Sequence, residues 1–330
     1  MTTNRPFACV GVGAPIMDSL ARVPESFVSA IGGAKGGMEY VEAARMESVL
    51  QELAGQVTEV PGGSAANTTQ ALAQLGLEVA FLGKIGNDST SNIYLDNFRQ
   101  SGGNISKFKK GDLPNARCLS LVTPDSERTM RTHLGAAVTL STSEISVADF
   151  QDCRHAHLEG YLLFNPELAL HILKCASQAG CSISLDLASF EVVHASKDIL
   201  KDLLTRYVDI VFSNEDEAKA FVGKENDYPS MARELGNYSD IAVVKVGKEG
   251  SHIVQNGELI SIKPVLVEKA LDTTGAGDAW AAGFLYGWLT GKPLEHSGNL
   301  GSRLGAEVVQ VLGPRIPTNR WQPIKTDHSL

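Results

Sequence analysis

Past residue 150 the chain alternates between apolar runs too short for helices and segments long enough to be helices. HAHLEGYLL precedes a helical pattern from about Glu167, and SISLDL precedes one near Ser196–Arg206. VDIVFSN leads into Glu215–Val222, and IAVVKVG leads into SHIVQNGELISI, a hairpin pattern with Asn256-Gly257 at its turn. Short apolar runs suit strands buried on both faces, and a helix between two runs lets them pair in parallel. The expectation is an α/β chain with a mostly parallel sheet and helices on both faces.

The first half keeps this rhythm only in part. Phe7–Val12 (FACVGV) reads as a first strand and Val79–Gly86 (VAFLGKIG) as a later one. Helices are expected at Ala43–Leu53, Ala65–Leu75 with Ser64 as N-cap, and Ser91–Gln100. Two segments break the rhythm. Residues 14–60 are polar and irregular, and RCLSLVT and RTMRTHL form a hairpin pattern across Pro124-Asp125-Ser126-Glu127. Together they predict a small β-rich lid, from segments of about 14–60 and 109–138, inserted into a single domain over 1–330. Toward the end, helices are expected after DTTGAGD and around Leu300–Leu312, with a tail after Pro314 along the surface.

Composition narrows the function. A formal charge of -9 and a pI near 5.4, with no basic run, argue against nucleic acid or an anionic membrane as partner. Five cysteines without a C-x-x-C pair argue against a disulfide framework and point to a reducing, cytoplasmic setting. No apolar run is long enough to span a bilayer, and MTTNRPFACVGVGAP lacks a signal-peptide core. The sequons at Asn67, Asn87, Asn104 and Asn237 are then chance matches.

DTTGAGD (Asp272–Asp278) opens an apolar helix, Ala276–Thr290. First-turn N–H groups lack helical partners, and Gly275, Ala276 and Gly277 carry almost no side chain. An anion can approach that backbone closely, favoured by the helix dipole. Asp278 stands beside this cradle, where a carboxylate could accept a proton from an attacking hydroxyl. The plainer alternative is a capped helix with Asp278 there for the dipole. Other motifs fail. No Gly-Lys pair is followed by Ser or Thr, Ile16 breaks the third position of a dinucleotide fingerprint, and no zinc spacing or G-x-S-x-G elbow occurs.

DTTGAGD, with PGGSAANTTQALAQLG upstream, resembles the two signatures of the PfkB (ribokinase-like) carbohydrate and nucleoside kinases. GVGAPIMD, VFSNEDE and VVKVGKEGS fit the same family, and KGGMEYVE, ERTMRTHLGAA and HLEGYLLFNPE look closest to its adenosine-kinase-like branch. The resemblance implies a Rossmann-like, ribokinase-like core with a β-rich lid. It implies an ATP-dependent phosphotransferase that moves the γ-phosphoryl to a primary hydroxyl of a nucleoside or sugar, with Mg2+.

Carried over residue by residue, Asp278 is the base and Gly275, Ala276 and Gly277 the anion hole. Asp18, Gly63 and Asn67 hold the acceptor, and Arg128 reaches the transferring phosphate. Asn214, Lys245, Gly247 and Gly250 line the nucleotide, while Asn214 and Glu217 organise Mg2+ through water. K+ near Asp272 and Gly313 is a further family feature. Met38 and Tyr40 are candidates to line the acceptor pocket. Each role has a plainer counterpart: a loop aspartate at Asp18, a turn at Gly62-Gly63, a solvated Asn67 or Arg128, a dipole-favoured Glu217, and lid core for Met38 and Tyr40. The acceptor stays open among adenosine, another nucleoside, ribose and fructose, and the assembly between monomer and homodimer. A ribokinase- or fructokinase-type sugar kinase is the main alternative; a catalytically silent nucleotide-binding regulator is the remote one.

Overall fold

The apolar runs pair into one eight-stranded sheet. Its order is Glu258–Ile262, Ser251–Gln255, Ile241–Lys245, Ile210–Asn214, Ser182–Asp186, Cys153–Glu159, Phe7–Val12 and Val79–Leu82. Six of these strands pair in parallel, and at one edge Ser251–Gln255 runs antiparallel to both neighbours, Ile241–Lys245 and its partner in the hairpin across Asn256-Gly257. Both turn residues have positive φ, 51° and 79°, as that tight turn requires. The chain is described here from a computed structural model covering residues 5–33, 35–53, 55–125, 128–223 and 227–327, without the Arg128 side chain.

Period-two alternation sorts each strand between two cores. Val10, Val12, Val211 and Val244 face the helices Pro166–Gln178 and Lys197–Tyr207, packing with Ile172, Leu173 and Leu204. Cys9, Ile210, Phe212 and Val243 face the opposite layer and pack with Leu72, Trp280, Phe284, Leu300 and Leu304. That layer holds the Ser64–Leu75, Ala276–Leu289 and Leu294–Val308 helices. The doubly covered parallel sheet is the expected architecture.

Several boundaries differ from the sequence reading, each for a local reason. The run expected as one strand over Val79–Gly86 divides at Gly83, where a Cβ would lie 2.3 Å from the Gly13 carbonyl oxygen. Beyond it Lys84–Ile85 leaves the main sheet and pairs with Lys109–Lys110. Ser64 does not cap its helix; Gly63 takes that position at φ 97°. Phe190–Ala195 forms an extra helix capped by Ser189, and the late helix spans Leu294–Val308. The tail holds a helix at Thr318–Asp327, because Trp321 and Ile324 supply apolar anchors that the surrounding polar residues obscure.

The segments that broke the rhythm build a second sheet of five strands. Its order is Met38–Tyr40, Arg128–His133, Ala116–Val122, Ile16–Arg22 and Val57–Pro61. It has its own small core, where Val28, Met46 and Val49 pack on Leu119 and Leu121. Ser126 and Glu127 of the expected turn lie outside the described residues.

The Ala276–Leu289 and Leu294–Val308 helices cross at glycine. A Cβ on Gly283 would lie 2.7 Å from the Gly301 nitrogen, a distance that real contacts do not reach. Gly283→Ala is therefore expected to push the two helices apart and destabilise the fold by about 1–3 kcal/mol. Thermal melting checks this; an unchanged Tm would show that the crossing relaxes freely.

Candidate active site

In a parallel sheet the carboxyl ends of the strands share one edge, and loops beyond it are free to carry chemistry. Here consecutive strands end in Glu159, Asp186, Asn214 and Lys245, with Glu159 opposite Asp186 and Asn214 opposite Lys245 in register. Polar groups thus close the apolar strands at one rim. The Ser64–Leu75 and Ala276–Leu289 helices present their N-termini to the same place.

Asp278 joins those two helices. Its Oδ1 accepts from the Ser64 hydroxyl at 2.8 Å, and its Oδ2 accepts from the Asn67 amide at 2.8 Å. Thr68 donates to the Asp278 carbonyl at 3.2 Å. The partners of this carboxylate therefore lie on another helix, which is not how a simple cap behaves. Burial pushes its pKa up to about 6, and the nearby Asp186 charge adds to that. Asn67, Ser64 and Lys245 act the other way.

The loop before Asp278 is held from both sides. Asp272 Oδ1 accepts from the Thr274 N–H at 3.0 Å and the Thr274 hydroxyl at 2.7 Å, while Oδ2 accepts from the Gly313 N–H at 2.9 Å. Gly275 caps the helix at φ 75°, and a Cβ there would stand 2.5 Å from Pro314. The Ala276 N–H donates to the Thr273 carbonyl at 3.1 Å, so the turn competes for that amide. Lys245 Nζ lies 3.0 Å from where a Gly277 Cβ would be, so a positive charge overhangs the exposed backbone.

That lysine is paired. Its Nζ sits 2.9 Å from Asp186 Oδ2, and both side chains are almost wholly buried. Burial alone would strip charge from each. Mutual attraction prevails, raising the Lys245 pKa and lowering that of Asp186, so the pair stays ionised.

Asn214 and Glu217 form a reciprocal capping box. The Asn214 N–H and amide donate to Glu217 Oε2 and Oε1, each at 2.8 Å, and Asn214 Oδ1 accepts from the Glu217 N–H. Burial lifts the Glu217 pKa to about 7, with Asp186 adding repulsion.

The remaining expected residues sit as follows. Asp18 lies in the second sheet, opposite Cys118 and Val60, with its Oδ2 2.1 Å from where a Gly62 Cβ would stand. Gly63 backs onto the Ala14 carbonyl, which a Cβ would meet at 2.3 Å. Gly247 opens a short turn, and a Cβ on Gly250 would strike the Ile262 carbonyl at 2.1 Å. The glycine at 250 is thus demanded by the hairpin beside it. Arg128 occupies the first position of its strand, but its side chain lies outside the described residues. Met38 and Tyr40 are exposed rather than lid core.

Sequence reasoning missed Glu159 and Asp186 as site residues. Glu159 accepts from the Ala14 N–H at 2.8 Å and the Ala65 N–H at 3.2 Å, tying the first strand's exit to the second helix layer. Burial pushes its pKa to about 7. The available signal was a carboxylate closing an apolar run, in HAHLE and in SISLD.

A model of the pfkB family of carbohydrate kinases matches residues 28–321. The chain belongs to that family. It is 26% identical to adenosine kinase from Dictyostelium discoideum over 328 residues, covering 93% of this chain and 96% of the relative. The solved adenosine kinase from Sinorhizobium meliloti aligns with a TM-score of 0.84 at 32% identity, covering 96% and 99% of the two chains. A probable sugar kinase from Rhizobium etli aligns at 0.87 and 31% identity, covering 98% and 99%. The protein is accordingly a phosphotransferase acting on a hydroxyl group of a sugar or nucleoside, from a family that uses ATP and generally Mg2+. Among the described residues no helix is long and apolar enough to cross a membrane.

The fit to Mg2+ is specific in kind. Among the described residues no group of three or more His, Cys, Asp or Glu could hold a metal. Both Glu217 oxygens already accept hydrogen bonds. The donor set suits water-mediated contact with an ion held chiefly by nucleotide phosphates, the usual habit of Mg2+.

The buried Asp278 charge has a stability consequence. Its folded pKa, about 6, exceeds the unfolded value, so the folded state binds the extra proton and wild-type stability falls as pH rises through this window. The ionised carboxylate costs of order 3 kcal/mol above pH 6. Asp278→Asn is expected to melt higher than wild type at pH 8, with the gap closing near pH 4. Melting curves at both pH values check this, and a constant offset would contradict it.

Proposed function

We propose that this kinase phosphorylates the primary hydroxyl of a nucleoside, with a bare sugar as the second reading. The supporting observation is an aromatic pair beside the site. Tyr161 and Phe164 stack at 6.5 Å with a 29° interplanar angle, and both are about half exposed. They directly follow Glu159, and Tyr161 feels the charges of Glu159, Asp278 and Glu217. Exposed rings beside a polar rim offer a face to a flat, apolar group, which a base presents more fully than a bare sugar does. Similarity to adenosine kinases along almost the whole chain supports the same reading.

In this reading Asp18, Gly63 and Asn67 hold the ribose hydroxyls, and the five-stranded sheet closes over them as a lid that excludes water. The γ-phosphoryl rests on the Gly275–Gly277 backbone, with Lys245 and the helix N-terminus countering its charge. Asp278 accepts the proton of the attacking hydroxyl. Ser64 and Asn67 hold its two oxygens, so the carboxylate is aimed before the acceptor arrives. Asn214, Lys245, Gly247 and Gly250 border the nucleotide, and Asn214 with Glu217 orders the waters of its Mg2+. Arg128 is assigned to the transferring phosphate. K+ is placed near Asp272 and Gly313.

ADP release with MgATP and a panel of nucleosides and free sugars tests the acceptor. Nucleoside-dependent release is expected; release with sugars alone would favour the second reading, and none with any acceptor would refute both. Asp278→Asn should lower kcat by about 10²–10⁴-fold with ATP binding little changed. Asp18→Ala should raise the acceptor KM first. Steady-state kinetics of both variants check the assignment, and near wild-type turnover in Asp278→Asn would remove the base.

A further inference from the structure

A cavity of about 120 Å³ lies between the Ser64–Leu75 helix and the 314–321 segment, walled by Asn67, Gln70, Gln74, Arg315, Thr318 and Trp321. Its wall carries unanswered donors. Among the described residues, Arg315 Nε and Nη2 and Gln70 Nε2 are buried without a hydrogen-bond partner. Gln70 is 4% exposed, and its Oε1 accepts from the Ser101 hydroxyl at 3.3 Å, which leaves the NH2 group as the unanswered half. Burial depresses the Arg315 pKa, with only through-space help from Tyr94 and Asp18.

A guanidinium with no counter-charge in direct contact is costly to bury. Water answers its hydrogen bonds but not its charge. We propose that this cavity binds a small oxyanion, a phosphate or carboxylate group, held by Arg315 and Gln70. The Nε–Nη2 edge of a guanidinium matches the spacing of two oxygens on one such group. Asn67 Oδ1 also lacks a partner and is an acceptor, so the anion sits at the Arg315–Gln70 end. The other end of the same amide donates to Asp278, and Ala279 lines the cavity too. The cavity therefore borders the amide that orients Asp278. That link to catalysis rests on the kinase reading, whereas the binding does not.

Trp321 lines the cavity and reports on it. Inorganic phosphate, and separately succinate, would be titrated into the full chain at constant ionic strength while tryptophan emission and Tm are followed. Each titration is run with and without a saturating magnesium complex of a non-hydrolysable ATP analogue, whose γ-phosphate covers the Gly275–Gly277 backbone. The expected result is a saturable emission change that persists with the analogue and disappears in Trp321→Phe. Affinity should weaken about tenfold or more in Arg315→Gln and in Gln70→Leu, the loss of a charge-assisted contact. Response to phosphate alone or to succinate alone would identify the group. No saturable response to either ion, one abolished by the ATP analogue, or one unchanged in both folded variants would overturn the proposal. Failure of the kinase reading is separate, since it would abolish acceptor-dependent ADP release and leave the Arg315-dependent titration intact.

Discussion

A partly buried carboxylate held between two helix N-termini is the constraint on which the site depends. Asp278 stands in the first turn of one helix and takes its hydrogen bonds from Ser64 and Asn67 in the first turn of another. Both helix dipoles present their positive ends to it, which makes an anion tolerable where burial alone would expel it. Bringing two N-termini so close needs small residues. Ala65, Ala66 and Ala279 are buried at the junction, and a Cβ on Gly11 beneath them would strike the Thr69 hydroxyl at 2.0 Å. Behind the junction Trp280 and Phe284 stack on each other at 5.5 Å and meet Phe212 edge-on, fixing the helix to the sheet.

Charge around this point is balanced rather than abundant. Lys245 is buried with Asp186, Glu217 and Asp278 in range, so its one positive charge answers several acids. The acids divide accordingly. Asp186 holds the direct contact and stays ionised, while Glu159, Glu217 and Asp278 are pushed toward neutrality. Carboxylates with separated pKa values at one rim are the arrangement expected where a proton must be moved near neutral pH. The Gly277 backbone beneath Lys245 places this same balance beside a surface suited to phosphate.

Much of this was legible in the sequence, and the reasons are local. Strand–helix alternation revealed the main sheet because strands buried on both faces must be uniformly apolar. DTTGAGD marked the candidate corner because an anion cradle needs glycine at fixed spacing, while the turn takes up the Ala276 N–H. Glu159 and Asp186 were not legible. Each looks like an ordinary strand end until the sheet register puts them side by side. Ser64 was misread as a cap, since its hydroxyl partner lies 214 residues away. The tail helix was obscured by Pro323 and polar neighbours, because Trp321 and Ile324 show their burial only against the packed layer.

The central claim is that burial makes Asp278 a base that titrates near neutrality, and the pH dependence of kcat/KM for the acceptor tests it most directly. The account predicts an acid limb falling about tenfold per pH unit below about pH 6, as the carboxylate takes up its proton. A profile flat to pH 4.5 in a protein that remains folded would contradict it.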